Sequence, residues 1–158
     1  MRSGFSGGEK MRQALDQMVE ALGRGNAVRV GFLENSTCGQ DNSESAPTVA
    51  FYNEYGTQRI PPRPFFRRMI TVNSKTWGKL IRASLKIREG NVGQAFAITG
   101  LKMAEQLQQS IEEANEWAVP NAPATIKAKG FADPTGPPLQ DSKNMKRAVW
   151  FEVTDELA

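Results

Sequence analysis

Val28-Arg29-Val30-Gly31-Phe32 places apolar side chains at alternate positions, the period of two that marks a strand with one buried face. The strand is expected to end near Leu33. A second stretch of the same kind lies far along the chain, where Val149, Phe151 and Val153 alternate with Trp150 and Glu152. Between these two candidates for pairing, the apolar residues recur at helical spacing or are absent. The pattern predicts an α+β fold: a small antiparallel sheet packed with several helices, two long polar loops and no internal repeat.

The helices read outward from that sheet. Met11, Leu15, Met18 and Leu22 share one helical face, and Gly23 with Gly25 supplies a stop, so a first helix is expected over Gly8 to Leu22. Pro47 to Gly56 predicts a short helix with proline in its first turn and glycine as terminator. Ile60-Pro61-Pro62-Arg63-Pro64 is forced open, because each proline restricts the residue before it and lacks a backbone donor. A helix then starts at Phe65 and Phe66, with Phe66, Ile70, Trp77 and Ile81 on its apolar face and a break expected near Thr71 to Ser74. Val92, Phe96, Met103, Leu107, Ile111, Ala114 and Ala118 mark another, about 40 Å long if continuous from Val92 to Ala118.

The two loops are predicted over Glu34 to Pro47 and Pro120 to Gln140. The first is rich in Ser, Asn, Asp and Gly, and the second holds five prolines, Pro120, Pro123, Pro134, Pro137 and Pro138. Both are read as extended or mobile. A short polar turn is expected around Ser142 to Lys146, ahead of the last strand.

With 158 residues, one domain spanning 1–158 is the default. There is one cysteine, Cys38, and no histidine, so an intramolecular disulfide, Cys/His zinc sites and imidazole-based triads are excluded. Cys38 has no basic neighbour in its polar stretch to lower a thiol pKa and reads as an inert loop cysteine. Carboxylates and lysines show no catalytic spacing, and the acids of Glu34 to Pro47 do not match a calcium loop. The expectation is a non-enzyme with no cofactor and no bound metal. Met1 to Lys10 lacks the apolar stretch of a secretion signal and no run reaches membrane-spanning length, so the chain is expected to work inside cells, away from membranes.

The net charge is only +3, but it is unevenly spread. Arg59, Arg63, Arg67, Arg68, Lys75, Lys79, Arg82, Lys86 and Arg88 face the single acid Glu89 in their segment. Acids dominate on both sides, with Glu34, Asp41, Glu44 and Glu54 before it and Glu105, Glu112, Glu113 and Glu116 after. Arg68, Lys75, Lys79, Arg82 and Lys86 fall on one helical face opposite the apolar one. This stripe reads as a solvated face, as a partner for the acidic stretch of a neighbour, or as a contact for DNA.

Three motifs carry a family resemblance. Val30-Gly31-Phe32, then Val49-Ala50 with Asn53-Glu54-Tyr55-Gly56-Thr57, then Ile60-Pro61-Pro62-Arg63-Pro64-Phe65-Phe66 resemble the signature of the phage tail-component family. The likeness is specific over Val28 to Ile70. Pro123-Ala124-Thr125-Ile126 with Lys129-Gly130, and Pro138-Leu139-Gln140-Asp141-Ser142, are similar to its second half, although Asp141-Ser142-Lys143 stands where the family often has Asp-Thr-Gly. The resemblance implies a structural virion protein of a long-tailed bacteriophage, a neck or tail-completion subunit joining the tail to the DNA-filled head. It implies a homo-oligomeric ring, hexameric by analogy, between a head-side connector or stopper protein and tail terminator or tail tube proteins. Its place would be the virion neck, after assembly in the host cytoplasm. The alternatives are a tail terminator or other head–tail connector ring protein, or, in a different class, a basic DNA-binding module.

The motif also has a reading from its residues alone. Asn53, Glu54, Gly56, Thr57, Ile60, Pro61, Pro62, Arg63, Pro64 and Phe65 make a stiff, sharply turned corner suited to a fixed contact between subunits. Against this stands the reading of Phe65 and Phe66 as ordinary core residues. Tyr52, Tyr55 and Trp150 are expected to be packing residues rather than a platform for stacked bases.

Overall fold

The computed structural model describes residues 12–13, 16, 27–38, 44–88, 90–129, 136, 138–139 and 144–154. Among the described residues from Ala27 on, the elements follow in the order β1 (Ala27–Phe32), β2 (Thr37–Cys38), β3 (Glu44–Ser45), α1 (Ala46–Tyr55), α2 (Phe65–Ile87), α3 (Val92–Glu112), α4 (Ala114–Trp117), α5 (Pro123–Lys129), α6 (Asn144–Arg147) and β4 (Val149–Thr154). The fold is α+β. Of the expected first helix, Arg12, Gln13 and Asp16 are helical and exposed, and the remainder of Gly8 to Leu22 lies outside the described residues.

β1 pairs with β4, as the alternation of their residues predicts. The Leu33 N–H donates to the Ala148 carbonyl at 2.9 Å and Arg29 reaches Glu152 at 3.5 Å, so the partner number falls as the chain advances and the pair is antiparallel. β2 and β3 form a second antiparallel ladder, Thr37 opposite Ser45 and Cys38 opposite Glu44. This corrects the expectation of a loop over Glu34 to Pro47. Local polar bonds organise its ends: the Ser36 hydroxyl donates to the Leu33 carbonyl, and the Ala46 N–H donates to the Ser36 carbonyl at 2.8 Å. Residues 39–43 lie outside the described residues.

The second expected loop is also corrected. Pro123–Lys129 is a helix, with Pro123 at its first position, where a missing N–H costs nothing, and the Ala122 carbonyl accepting from Thr125 and Ile126. The turn expected at Ser142 to Lys146 contains α6 from Asn144 on.

Two compact units divide the chain. One comprises the described residues of Met1–Arg29, Lys75–Leu101 and Glu152–Ala158, and the other those of Val30–Ser74 and Lys102–Phe151. The larger unit is built on Ala46, Ala50, Phe65, Met69, Leu107, Ile111, Ala114, Met145 and Val149, all buried. Phe32 meets Phe65 edge to face, with centroids 6.1 Å apart. α1 packs against α6, β2 and β3. In the smaller unit Ser84, Val92, Ala95 and Thr99 are buried.

α2 runs unbroken through Thr71 to Ser74, correcting the expected interruption. The hydroxyl of Thr71 and the amide of Asn73 donate to the carbonyls four residues back, at 2.9 Å each, so these polar residues bond along the helix and leave it intact. Its buried side also starts one residue earlier than expected: Phe65 and Met69 are buried, Phe66 is half-buried and Ile70 is exposed. α3 stops at Glu112 instead of running to Ala118, and α4 follows after the turn at Glu113. Asn91 caps α3 by accepting the Gln94 N–H at 2.9 Å.

Candidate functional site

α1 is fixed at both ends. Ser45 caps its start, its hydroxyl accepting the Thr48 N–H at 3.3 Å, and Gly56 ends it with φ 77° and ψ 174° while donating to the Tyr52 carbonyl. That conformation is open to glycine and almost nothing else. The chain also folds back tightly here: a Cβ on Gly56 would lie 2.9 Å from both the Ile60 oxygen and the Pro62 nitrogen. Gly56→Ala is therefore expected to cost about 1–3 kcal/mol, read as a lower urea midpoint at constant slope. Wild-type stability in that variant would show that the corner yields.

The turn between α1 and α2 bonds to itself. The Thr57 N–H donates to the Ile60 carbonyl at 2.8 Å, and the Thr57 hydroxyl accepts from the Arg59 and Ile60 N–H groups at 3.2 and 3.0 Å. The Arg63 N–H then returns to the Asn53 carbonyl at 2.7 Å.

Two buried charged side chains brace this turn. Glu54, Arg63 and Phe65, read from the sequence as candidates for contact between subunits, are 5, 6 and 1% exposed, so within the subunit they act as internal supports. Glu54 does for α2 what the adjacent residue cannot. Pro64 occupies the N-cap position, its carbonyl accepting the Arg68 N–H at 2.9 Å, but it has no side-chain acceptor. Glu54 supplies one from α1, accepting the Phe66 N–H at 2.9 Å and the Arg67 N–H at 3.2 Å. A carboxylate also suits the positive end of the helix dipole. Arg67 closes over it, Nε to the carboxylate at 2.9 Å and Nη2 to the Glu54 carbonyl at 3.1 Å.

Arg63 points the other way and meets no carboxylate among the described residues. Its Nε donates to the Val119 carbonyl at 2.9 Å, and its Nη2 donates to Asn121 Oδ1 at 2.9 Å and the Pro120 carbonyl at 3.4 Å. Nη1 reaches Asn53 Oδ1 at 3.4 Å. Burial lowers its pKa from the ordinary arginine value, yet the group stays charged at neutral pH. Asn121 donates onward to the Gly136 carbonyl at 2.8 Å, so one guanidinium pins the start of the proline-rich segment to the corner.

The remaining corner residues sit nearer the surface. Thr57, Pro61 and Pro62 are exposed, and Asn53, Gly56, Ile60 and Pro64 are half-buried. Beside them stands a feature that includes Tyr52 and Tyr55, two residues expected to pack. Phe51, Tyr52 and Tyr55 are 58, 42 and 58% exposed and form one cluster, with Phe51 4.8 Å from Tyr55 and 6.3 Å from Tyr52. Arg67 covers one side, its Cζ 5.1 Å from the Tyr55 ring centre. Trp150 is exposed as well, stacked on Phe151. Burial of Ala46, Ala50 and Glu54 turns the small side of α1 inward, which leaves its rings outside.

The basic stripe is exposed at every position. Arg68 differs from the others, because its guanidinium stacks on Trp117 at 5.2 Å in the larger unit, while Lys75, Lys79, Arg82 and Lys86 belong to the smaller one. Among the described residues no three His, Cys, Asp or Glu side chains converge as metal ligands, and no helix is long and apolar enough to cross a membrane. No protein-family model matches the chain, and no curated protein or solved structure does.

Proposed function

We propose that this chain is a structural subunit of a tailed-bacteriophage particle, the tail-completion or neck component, which assembles into a homo-oligomeric ring joining tail to head. The observation that carries the proposal is the exposed Phe51, Tyr52 and Tyr55 cluster on a helix whose position is fixed by buried bonds. A contiguous aromatic surface beside an arginine is the composition of an interface centre, and a pre-ordered one loses little entropy on binding. It lies within the stretch that resembles the tail-component signature. A tail terminator or other connector ring would use the same kind of surface and differ in its neighbours.

The double variant Phe51→Ser, Tyr55→Ser tests the contact. The rings are more than half solvated and lose in the subunit only their mutual contact and the Arg67 stacking, so its urea stability should change by about 1 kcal/mol or less, whereas the oligomer should weaken by at least about 2 kcal/mol, roughly 30-fold in dissociation constant. Analytical ultracentrifugation reads the second quantity. An unaltered assembly state in a folded variant removes this face from the ring. For the function as a whole, a phage lacking the protein should accumulate filled heads and finished tails separately, and normal yields of joined particles would reject the reading.

A further inference from the structure

We infer that the outer face of α2, formed by Lys75, Lys79, Arg82 and Lys86, binds the phosphate backbone of duplex DNA without reading its sequence. At 100° per residue the four side chains project within about 60° of one another, along roughly 16 Å of helix. All four are exposed, and none is held in an ion pair among the described residues. α2 as a whole carries six basic residues and no acid in 23. A helix face that merely meets solvent gains from mixing both signs at spacings of three and four, and this one has no such pairs.

The other partner of matching charge would be the acidic end of α3 on a second copy. Two of those acids already pair with a cation of their own subunit, Glu105 with Lys102 at 3.0 Å and Glu112 with Lys146, and Glu113 accepts from the Gln109 amide at 2.6 Å. Among the described residues the four cations of the ridge outnumber the acids of that stretch not paired with a cation, Glu113 and Glu116, and an external polyanion satisfies them better. The positions flanking the ridge are small or aliphatic, Val72, Gly78 and Ala83, with open space around Gly78. No aromatic ring stands there to stack bases and no amide to read base edges, which favours the backbone of a duplex over a single strand.

The test is fluorescence anisotropy of the full chain with a labelled duplex of arbitrary sequence, titrated across salt, with oligomeric state followed in parallel. Four phosphate contacts give a slope of log K against log salt near −3.6, hence about a 100-fold loss between 50 and 200 mM salt. Each single change, Lys75→Gln, Lys79→Gln, Arg82→Gln or Lys86→Gln, should reduce the slope by about one, and the quadruple variant should abolish binding while keeping its circular dichroism. Lys75→Arg, Lys79→Arg and Lys86→Arg together should preserve it, as should neutralising the exposed Lys127 and Arg147 elsewhere. An unlabelled second sequence should compete equally and a single strand less well. Absence of duplex binding at low salt overturns the assignment, and so does equal loss on neutralising Lys127 and Arg147. If the wild type ignores DNA and the quadruple variant fails to oligomerise, the ridge is a protein contact and the inference falls. The ring reading stands or falls separately, on the aromatic variant.

Discussion

Replacing Arg63 with methionine is expected to cost about 2–4 kcal/mol and to release the segment beginning at Val119. The side chain makes four hydrogen bonds, to Val119, Pro120, Asn121 and Asn53, and bonds from a charged donor are worth about 1.5–3 kcal/mol each. Two terms offset that gross figure. Burial of the guanidinium is itself costly, as its lowered pKa records, and the carbonyls of exposed Val119 and Pro120 would gain water when the arginine leaves. Methionine keeps much of the chain length, so the loss measured is mainly the polar one.

Urea unfolding gives the global cost and hydrogen exchange the local one, with Thr125 and Ile126 of α5 expected to exchange faster. Arg63→Lys retains the charge but not the planar fork, so it should recover less than half of the loss. A change below about 0.5 kcal/mol in Arg63→Met would mean that the guanidinium does not hold this segment.

Much of the architecture was legible because it is written in local periodicity. The alternation in β1 and β4 and the stripe of α3 report an inward face through spacing, proline and glycine give the bounds of α1, and the stripe of α2 marks the helix although its buried side begins one residue earlier, at Phe65 and Met69. What stayed hidden depends on partners distant in sequence. Ser36 and Ser45 organise a ladder in a stretch whose composition reads as loop, and Pro123 starts a helix in a segment whose prolines read as breakers. The same holds for the corner. Its stiffness was visible in Ile60-Pro61-Pro62-Arg63-Pro64, but nothing in the order of residues says that Arg63 turns inward to Asn121, 58 positions on.

The aromatic cluster was missed for a related reason. Phe51, Tyr52 and Tyr55 look like core material by residue type, and only the burial of Ala46, Ala50 and Glu54 on the opposite side of α1 shows which face is inward. A charged residue buried beside alanines is the signal that inverts the ordinary amphipathic reading. It also explains why the motif mixes charge, glycine and proline: Glu54, Gly56, Arg63 and Phe65 secure the turn from inside, and Tyr55, Pro61 and Pro62 next to them face out.

Removing Glu54 is expected to produce a comparable loss, about 2–4 kcal/mol for Glu54→Ala, through the helix start and not through the ion pair. Two partly buried N–H groups in the first turn of α2 depend on this carboxylate, and leaving such a donor without an acceptor costs up to about 1–3 kcal/mol. The local chain offers no substitute, because Pro64 at the N-cap has no side-chain oxygen. Arg67 is a weaker contributor: its side chain is 58% exposed, and pairs open to solvent are worth about 0–1 kcal/mol. The ordering that follows is Glu54→Ala most destabilising, Glu54→Gln intermediate because one oxygen can still accept, and Arg67→Ala least. Urea midpoints for the three variants and for the Glu54→Ala, Arg67→Ala double variant give the coupling between the residues directly. If Arg67→Ala costs as much as Glu54→Ala, with the double variant no worse than either, the ion pair and not the cap secures the corner. If the cap governs, Glu54→Ala should also speed hydrogen exchange at Phe66 and Arg67, while Arg67→Ala leaves the Phe66 N–H protected by the carboxylate it still donates to.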